Sequence, residues 1–271
     1  MVEQLTNLFY INLNSRPDRR KNVEKEIEKL QLPNTIKIHR FAGIQLPKKP
    51  GSGAIGCSMS HLKCIKIAKE KGWPNVVIIE DDIEFLNPLA FRTQLNAFLT
   101  LHKNDFDVCL LAGNVIPPFT KIDDCCIRIK NCQTTTGYIV NDYYYDILIK
   151  NYSESIEKLI KEPDNHRFYA IDKWWFQLQE RDRWMLIIPL TVSQREDYSD
   201  IEDRTTNYHR VMLDLEKKWM FTQKSSDFHN INVNTIKNEI KNMTIGLPLS
   251  LPNIQTKKKI IKKNMNSIIT G

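Results

Sequence analysis

The sequence VVII at residues 76–79 is followed directly by three acids, Glu80-Asp81-Asp82. A continuous run of β-branched residues is typical of a parallel strand that is buried on both faces of a sheet. Such a strand needs helices on both sides, so it favours an α/β fold. In open α/β sheets, ligands bind beyond the carboxyl ends of the strands, which is where the three acids would lie.

The three adjacent carboxylates predict a metal site. They repel one another, and burying each one unpaired costs on the order of several kcal/mol. A divalent cation relieves that repulsion, and carboxylates together with phosphates are the ligands that Mg²⁺ or Mn²⁺ prefers. In an extended chain Glu80 and Asp82 point to the same side, so both could face the cation. The alternative is an exposed acidic turn that caps a helix.

The rest of the chain alternates between strand and helix patterns, as a mostly parallel α/β sheet requires. Apolar runs predict strands at residues 8–13, 35–41, 107–112, 134–140 and 184–188. Helical periodicity predicts helices after Ser15, from Ser58 to Lys71, and at about 153–162, 170–182 and 205–222. Residues 43–56 are rich in glycine, proline and lysine and predict a loop. We therefore expect one α/β domain over residues 1–204 and a helical or irregular extension with a basic tail over residues 205–271.

The formal charge of +7 and the isoelectric point of about 9.0 favour anionic partners. Much of the excess lies in the lysines of residues 257–263, which a solvated tail would also explain. Nucleic acid is one candidate partner, but the sequence has no helix-turn-helix, zinc-finger or aromatic RNA-binding motif. We therefore expect no specific nucleic-acid binding.

The six cysteines have no paired C-x-x-C spacing. A chain of 271 residues can build its core without disulfides, so we expect reduced, mostly buried thiols. The first residues do not resemble a signal peptide, and no apolar run approaches the roughly 20 residues of a membrane span. These features predict a soluble protein of the cytoplasm without a transmembrane segment.

Two further segments could bind an anionic ligand. The glycine-rich residues 51–61 lead into a helix, whose N-terminus favours anions, and Ser60 and His61 could donate hydrogen bonds to sugar or phosphate oxygens. A histidine early in a helix is more often structural, and that alternative stays open. Arg16 and Arg19, with Arg20, suit diphosphate recognition, although a solvated helix face would account for them equally well.

Taken together and in this order, several segments resemble glycosyltransferase family 25, which includes bacterial lipopolysaccharide galactosyltransferases and the procollagen galactosyltransferases. The resemblance covers roughly residues 7 to 201. Its segments are Tyr10-Ile11-Asn12-Leu13 with Arg16 through Arg20; residues 53–61; residues 78–82; Thr136-Gly137-Tyr138; Ile171-Asp172; and Gln194 with Ser199-Asp200-Ile201.

The resemblance implies a GT-A-type fold and an inverting transfer of a hexose from a nucleotide sugar, usually UDP-linked, to a hydroxyl of a glycan, a lipopolysaccharide or a protein. Asp82, helped by Glu80 or Asp81, would hold Mn²⁺ or Mg²⁺ against the diphosphate, and Asp81 is the candidate for binding ribose. The candidate substrate-binding residues are Asn12, Arg16, Arg19, Gly56, Ser60, His61, Glu80, Asp81, Gly137, Gln194 and Asp200.

An inverting displacement needs a base within reach of the acceptor hydroxyl, and Asp172 is the candidate. Its alternative role is to cap the helix that carries Trp174 and Trp175, which could stack on sugar or belong to the core. Three histidines are possible further metal ligands: His166, His209 and His229. Other functions left open are a non-catalytic sugar-binding protein, which would bind without turnover, and a metal-dependent phosphohydrolase.

Overall fold

The computed structural model describes residues 4–103, 105–199 and 204–221. The chain divides into two compact units, Met1–Lys217 and Lys218–Gly271. The first unit extends past the expected boundary at residue 204. The lysines of the basic tail and His229 lie outside the described residues, so their expected roles stay predictions.

Strands alternate with helices in the N-terminal part of the first unit, and several strands follow one another without a helix after residue 107. In chain order the strands are β1 (Asn7–Asn12), β2 (Lys37–Ala42), β3 (Asn75–Glu80), β4 (Ile83–Phe85), β5 (Val108–Leu110), β6 (Asn114–Val115), β7 (Thr120–Lys121), β8 (Cys126–Arg128), β9 (Cys132–Gln133), β10 (Gly137–Asn141), β11 (Trp184–Ile187), β12 (Val192–Gln194), β13 (Asp197–Ser199) and β14 (Arg204–Thr206). The helices are α1 (Pro17–Lys29), α2 (Ser52–Glu70), α3 (Pro88–Leu101), α4 (Tyr145–Lys161), α5 (His166–Tyr169), α6 (Ile171–Trp174), α7 (Phe176–Arg181), α8 (His209–Met212) and, in the second unit, α9 (Lys218–Phe221).

An eight-stranded sheet in the order β2-β1-β3-β10-β5-β11-β8-β7 forms the centre of the first unit. Strands β2, β1 and β3 are parallel neighbours, and β5 and β11 are parallel to each other. Strands β10 and β8 run in the opposite direction to both of their neighbours. Six strands therefore share one direction, which confirms the predicted α/β fold and agrees with the GT-A-type architecture that the resemblance implies.

Strand β3 is buried on both faces, as its sequence predicts. Val77 and Ile79 belong to one hydrophobic cluster, which includes residues of α1 and α3, and Val76 and Ile78 belong to a second cluster, which includes residues of α2 and α4. All four side chains are at most 4% exposed. Alternate side chains thus enter opposite layers, and the strand ends where Glu80 reaches the edge of the sheet.

Several helix predictions differ from the structure. Helix α4 begins at Tyr145, before the predicted start near residue 153, and the helix predicted over residues 170–182 is divided into α6 and α7. Helix α2 begins at Ser52, inside the segment predicted as a loop. The prediction of a single helix over residues 205–222 was wrong, because this stretch contains β14 and the separate helices α8 and α9. Helix α3 was not predicted, although Asn87 caps it by accepting a hydrogen bond from Ala90 N at 3.0 Å.

Among the described residues no helix is both long enough and apolar enough to span a bilayer. All six cysteines are free thiols, and every one except Cys57 is buried. The expected cytoplasmic location stays a prediction.

Candidate active site

A cavity of about 860 Å³ lies at the carboxyl ends of β1 and β3. It is lined by parts of the β2–α2 connection, the first turns of α2, the residues before β10, helix α6, and described residues of β12, β13 and β14. Nine of the predicted site residues are in its wall: Arg16, Arg19, Ser60, His61, Glu80, Asp81, Asp82, Asp172 and Gln194. The volume falls in the range typical of small-molecule sites.

The turn from β3 to β4 presents the three acids to this cavity. Strand β4 pairs with β12 in a separate two-stranded sheet, in which Ile83 lies opposite Gln194. The backbone N–H of Arg195 donates to the carbonyl of Asp82 at 2.7 Å. The acids therefore follow a central strand and are held at their far side by a second strand pair.

Asp81 is bound on the α1 side of the turn. Asn12 Nδ2 donates to Asp81 Oδ2 at 2.7 Å, and Arg19 Nη1 donates to Asp81 Oδ1 at 3.1 Å. Burial, with the charge of Glu80, raises the pKa of Asp81 although Asn12 and Arg19 act against this. Asn12 is itself buried and also donates to the carbonyl of Arg16 at 2.9 Å. Its contacts position Asp81 and the start of α1.

Glu80 faces the opposite side of the turn, toward α2. Its Oε1 accepts hydrogen bonds from Thr135 Oγ1 at 2.8 Å and from Cys57 Sγ at 3.5 Å, and it lies 3.1 Å from His61 Nε2. Burial alone would raise the pKa of Glu80, but the hydrogen bonds and the charge of His61 bring it below its usual value. Ligand atoms of Cys57, His61 and Glu80 lie within 4.8 Å of one another, so this group could also hold a metal ion.

His61 is fully buried, and both ring nitrogens have polar partners. Nε2 lies next to Glu80, and Nδ1 lies 2.8 Å from the hydroxyl of Tyr138. The hydroxyl of Tyr152 donates to that of Tyr138 at 3.3 Å. The histidine therefore joins the acid turn to a polar network in the core, which is the structural alternative noted from the sequence.

We expect His61→Ala to lower the free energy of unfolding by about 2–4 kcal/mol, because it removes one buried hydrogen-bond partner each from Glu80 and Tyr138 and opens a cavity. Urea unfolding at pH 7.5 measures this change. The matched control is Lys66→Ala on the exposed side of the same helix, which should stay within about 0.5 kcal/mol. Equal losses in the two variants would contradict the role of His61 in the network.

Asp82 has the least complete set of partners among the three acids. Gln194 Nε2 lies 3.3 Å and 3.5 Å from its two oxygens, and Arg19 Nη1 lies 3.9 Å away. Its side chain is 20% exposed and opens onto the cavity. Burial, followed by the charge of Glu80, raises the pKa of Asp82 to about 8. The carboxylate is therefore available to a ligand that brings positive charge.

Asp172 lies in the first turn of α6, on another wall of the cavity. Its Oδ2 accepts a hydrogen bond from the backbone N–H of Thr134 at 3.1 Å, in the segment that leads to β10. The N-cap of α6 is Ala170, so Asp172 does not cap this helix. Burial raises the pKa of Asp172 above its ordinary value.

Arg16 and Arg19 both contact Asp197, at the start of β13. Arg16 Nη2 lies 3.2 Å and Arg19 Nε 3.0 Å from Asp197 Oδ2. Arg20 instead forms an exposed pair with Glu24 at 2.8 Å. Arg16 and Arg19 thus connect the acid turn, through the contact of Arg19 with Asp81, to the segment that follows β12.

Gly56 and Gly137 have packing roles. A Cβ added to Gly56 would lie 2.3 Å from the carbonyl oxygen of Ile44, so only glycine permits this close approach. Ser60 accepts from Ile44 N at 2.9 Å and donates to the carbonyl of Gly56 at 2.7 Å. Gly137 packs against Ile83, where a Cβ would lie 3.1 Å from its Cδ1. Gly56, Gly137 and Asn12 are not among the described residues that line the cavity.

The other candidate residues lie in different surroundings. His166 lines the cavity, whereas His209 Nε2 lies 3.1 Å from Glu84 Oε2. Trp175 is fully buried and donates from Nε1 to the carbonyl of Cys132 at 2.9 Å, so it belongs to the core. Asp200 lies outside the described residues, and its expected role stays a prediction.

Several cavity residues were not found from the sequence. Cys57 and Thr135 contact Glu80, and Asp197 pairs with two arginines. Cys57 and Thr135 lie inside or beside motifs that were recognised, so their positions alone could have suggested them. No local pattern marks Asp197, because its partners lie 178 and 181 residues away in the chain.

Part of the chain matches a known sequence family. Residues 45–156 match the model of glycosyltransferase family 25, described as an LPS biosynthesis protein, which confirms the resemblance over this segment. The match contains the acid turn, the start of α2 and the Thr136-Gly137-Tyr138 motif. It supports a glycosyltransferase, an enzyme that transfers sugar. No curated protein matches the chain significantly.

Three solved structures share part of the architecture. A mannose-1-phosphate geranyltransferase from Thermus thermophilus is 10% identical, with a TM-score of 0.40 over 68% of this chain and 73% of that one. A glycosyltransferase involved in glycosylation of the major capsid of PBCV-1 is 12% identical, with a TM-score of 0.43 over 67% and 81%. The glycosyltransferase GlyE of Streptococcus pneumoniae TIGR4 is 9% identical, with a TM-score of 0.43 over 91% and 66%.

Proposed function

We propose that the chain is an inverting, metal-dependent glycosyltransferase that moves a hexose from a UDP-linked sugar to a hydroxyl of a glycan, lipopolysaccharide or protein acceptor. The observation that carries the proposal is one cavity whose wall contains both the acid turn at Asp82 and the separately held carboxylate of Asp172. The first suits a cation and a diphosphate, and the second suits the removal of a proton from an acceptor.

The surroundings of Asp82 fit a hard divalent cation. Its oxygens open onto the cavity, have only long contacts to Gln194 and Arg19, and lie near the charge of Glu80. Oxygen ligands of this kind suit Mn²⁺ or Mg²⁺. Asp82, with Glu80, would hold the ion, and when bound it would supply Lewis-acid stabilisation of the departing nucleoside diphosphate.

The cavity also has groups for the rest of the donor. Arg16 and Arg19 can donate to diphosphate oxygens if they exchange part of their bonding to Asp197. Asp81 is fixed by Asn12 and Arg19 and lies next to the cation-binding side chain, where it could accept a ribose hydroxyl. The nucleotide would thus lie between α1 and the β3–β4 turn.

Asp172 is the proposed general base. The Thr134 N–H fixes one of its oxygens and so orients the carboxylate. Burial raises its pKa, which improves its capacity to take up a proton at neutral pH. An acceptor hydroxyl bound between Asp172 and the donor would lose its proton to this carboxylate as it attacks the anomeric carbon.

The function is tested by incubating the full chain with a panel of nucleotide sugars and Mn²⁺, with and without glycan acceptors. We expect a UDP-sugar to release UDP faster when an acceptor is present, and the product to have the opposite anomeric configuration by NMR. Binding of a UDP-sugar without turnover would favour a non-catalytic protein. Release of free phosphate with no glycoside would indicate a phosphohydrolase.

A further inference from the structure

A second group of metal-ligating side chains lies outside the cavity. His102, Asp123, Cys125 and Cys126 each place one ligand atom within 4.8 Å of the other three. None of the four is among the described residues that line the cavity. We propose that these residues form a structural zinc site that joins the C-terminal end of α3 to the hairpin of β7 and β8.

The local chain conformation brings the four groups together. His102 is the residue that ends α3, where its N–H donates to the carbonyl of Phe98 at 2.8 Å. In the turn between β7 and β8, Asp123 Oδ1 accepts from the N–H groups of Cys125 at 2.8 Å and Cys126 at 3.0 Å. These two bonds hold the turn in a conformation in which the ligand atoms of Asp123, Cys125 and Cys126 lie within 4.8 Å of one another.

The distances are close to those of a tetrahedral site. With Zn–S of about 2.3 Å and Zn–N of about 2.0–2.1 Å, a sulfur and a nitrogen ligand lie about 3.5 Å apart. Cys126 Sγ and His102 Nε2 are 3.5 Å apart. His102 Nε2 and Asp123 Oδ2 are 2.6 Å apart, so these two would separate by less than about 1 Å to admit the ion.

The donor set selects zinc over the hard cation suggested for Asp82. Two thiolates, an imidazole and a carboxylate form a borderline-soft set of four, as closed structural zinc sites do. Both cysteines are buried, and the floor of the site is apolar, with Met185 Sδ 3.7 Å from Cys126 Sγ. Binding would release one proton from each thiol to solvent, and no electrons would move.

The charges of the group would also favour a cation once the thiols are ionised. Two thiolates and the Asp123 carboxylate would repel one another with their ligand atoms within 4.8 Å. A divalent ion between them would offset that repulsion.

The experiment measures zinc in the full-length chain purified without chelator from zinc-supplemented culture. We expect about one zinc ion per chain by mass spectrometry of the metal content, less than about a tenth of that in Cys126→Ser and in His102→Gln, and a thiolate charge-transfer band after exchange with Co²⁺. Circular dichroism verifies that each variant is folded. Stripping the zinc should lower the Tm of the parent by more than about 4 °C.

The matched control is Cys57→Ser, which removes a thiol from the other candidate group at Glu80 and should keep both the zinc and the band. Zinc lost in Cys57→Ser but kept in Cys126→Ser would overturn the proposal, because the ion would then belong to the cavity. A parent protein without zinc would overturn it too, as would a band that survives in folded Cys126→Ser.

Discussion

Asp82→Asn should lower kcat for sugar transfer by about a thousandfold or more, since the amide keeps the shape of the side chain but removes the charge that would hold the cation. The measurement is UDP release at saturating donor across a Mn²⁺ titration. The parent rate should rise with Mn²⁺, whereas the variant should stay low at every concentration. A second readout is binding: UDP with Mn²⁺ should raise the Tm of the parent but not that of the variant.

The matched control is Asp146→Asn, which changes an exposed carboxylate of α4 paired with Lys69. It should keep the parent rate and the Mn²⁺ dependence, because its side chain is 72% exposed and it is not among the residues that line the cavity. Unchanged transfer and unchanged manganese dependence in Asp82→Asn would remove the proposed metal centre from this turn.

Asp82→Asn should also be more stable than the parent at high pH, and this result would distinguish a loss of activity from misfolding. The folded-state pKa of Asp82, about 8, lies above its ordinary value of 3.8. Between these values the folded chain holds a proton that the unfolded chain has lost, so the stability of the parent falls as pH rises from about 4 to 8. Asp82→Asn avoids this loss. In metal-free buffer its Tm should exceed that of the parent by about 2 °C or more at pH 8.5, and the difference should shrink toward pH 4.

The region around β3 could be predicted from sequence because its determinants are local. The β-branched run gives a strand buried on both faces, and the position of the acids at its end follows from the chain direction. Helix α3 had local signals too, with Asn87 as a cap, Pro88 at its first turn, and Phe91, Leu95 and Phe98 on one face. The local sequence therefore contains enough information to predict α3.

Other features depend on contacts that no local pattern contains. The glycines near residue 53 predict a loop, but Gly56 lies inside α2. There it lets the helix pack closely against the carbonyl of Ile44, a contact that the local sequence does not reveal. The sequence favours a structural role for His61 but leaves a ligand role open, because the partners that decide its surroundings, Glu80 and Tyr138, come from other elements. The pairing of Asp197 with Arg16 and Arg19 likewise depends on the tertiary fold.

Asp172→Asn should lower kcat by about 10²- to 10⁴-fold while the KM for the donor changes by less than about threefold. The amide oxygen can still accept the hydrogen bond from Thr134 N, so the variant should keep the local structure and lose the proton acceptor. Thermal shifts with UDP and Mn²⁺ should equal those of the parent, because the donor half of the cavity is intact. The matched control, Glu180→Gln, changes an exposed carboxylate of α7 and should retain the parent kcat.

The pH profile distinguishes a base from a residue that only positions the acceptor. Burial raises the pKa of Asp172, so kcat/KM of the parent should increase with pH along an acidic limb as this group loses its proton. Asp172→Asn should lack that limb and leave a small rate that is independent of pH in the same range. If the limb persists in the variant, another group takes the proton, and Asp172 then acts through its bond to the Thr134 backbone and the shape of the acceptor side.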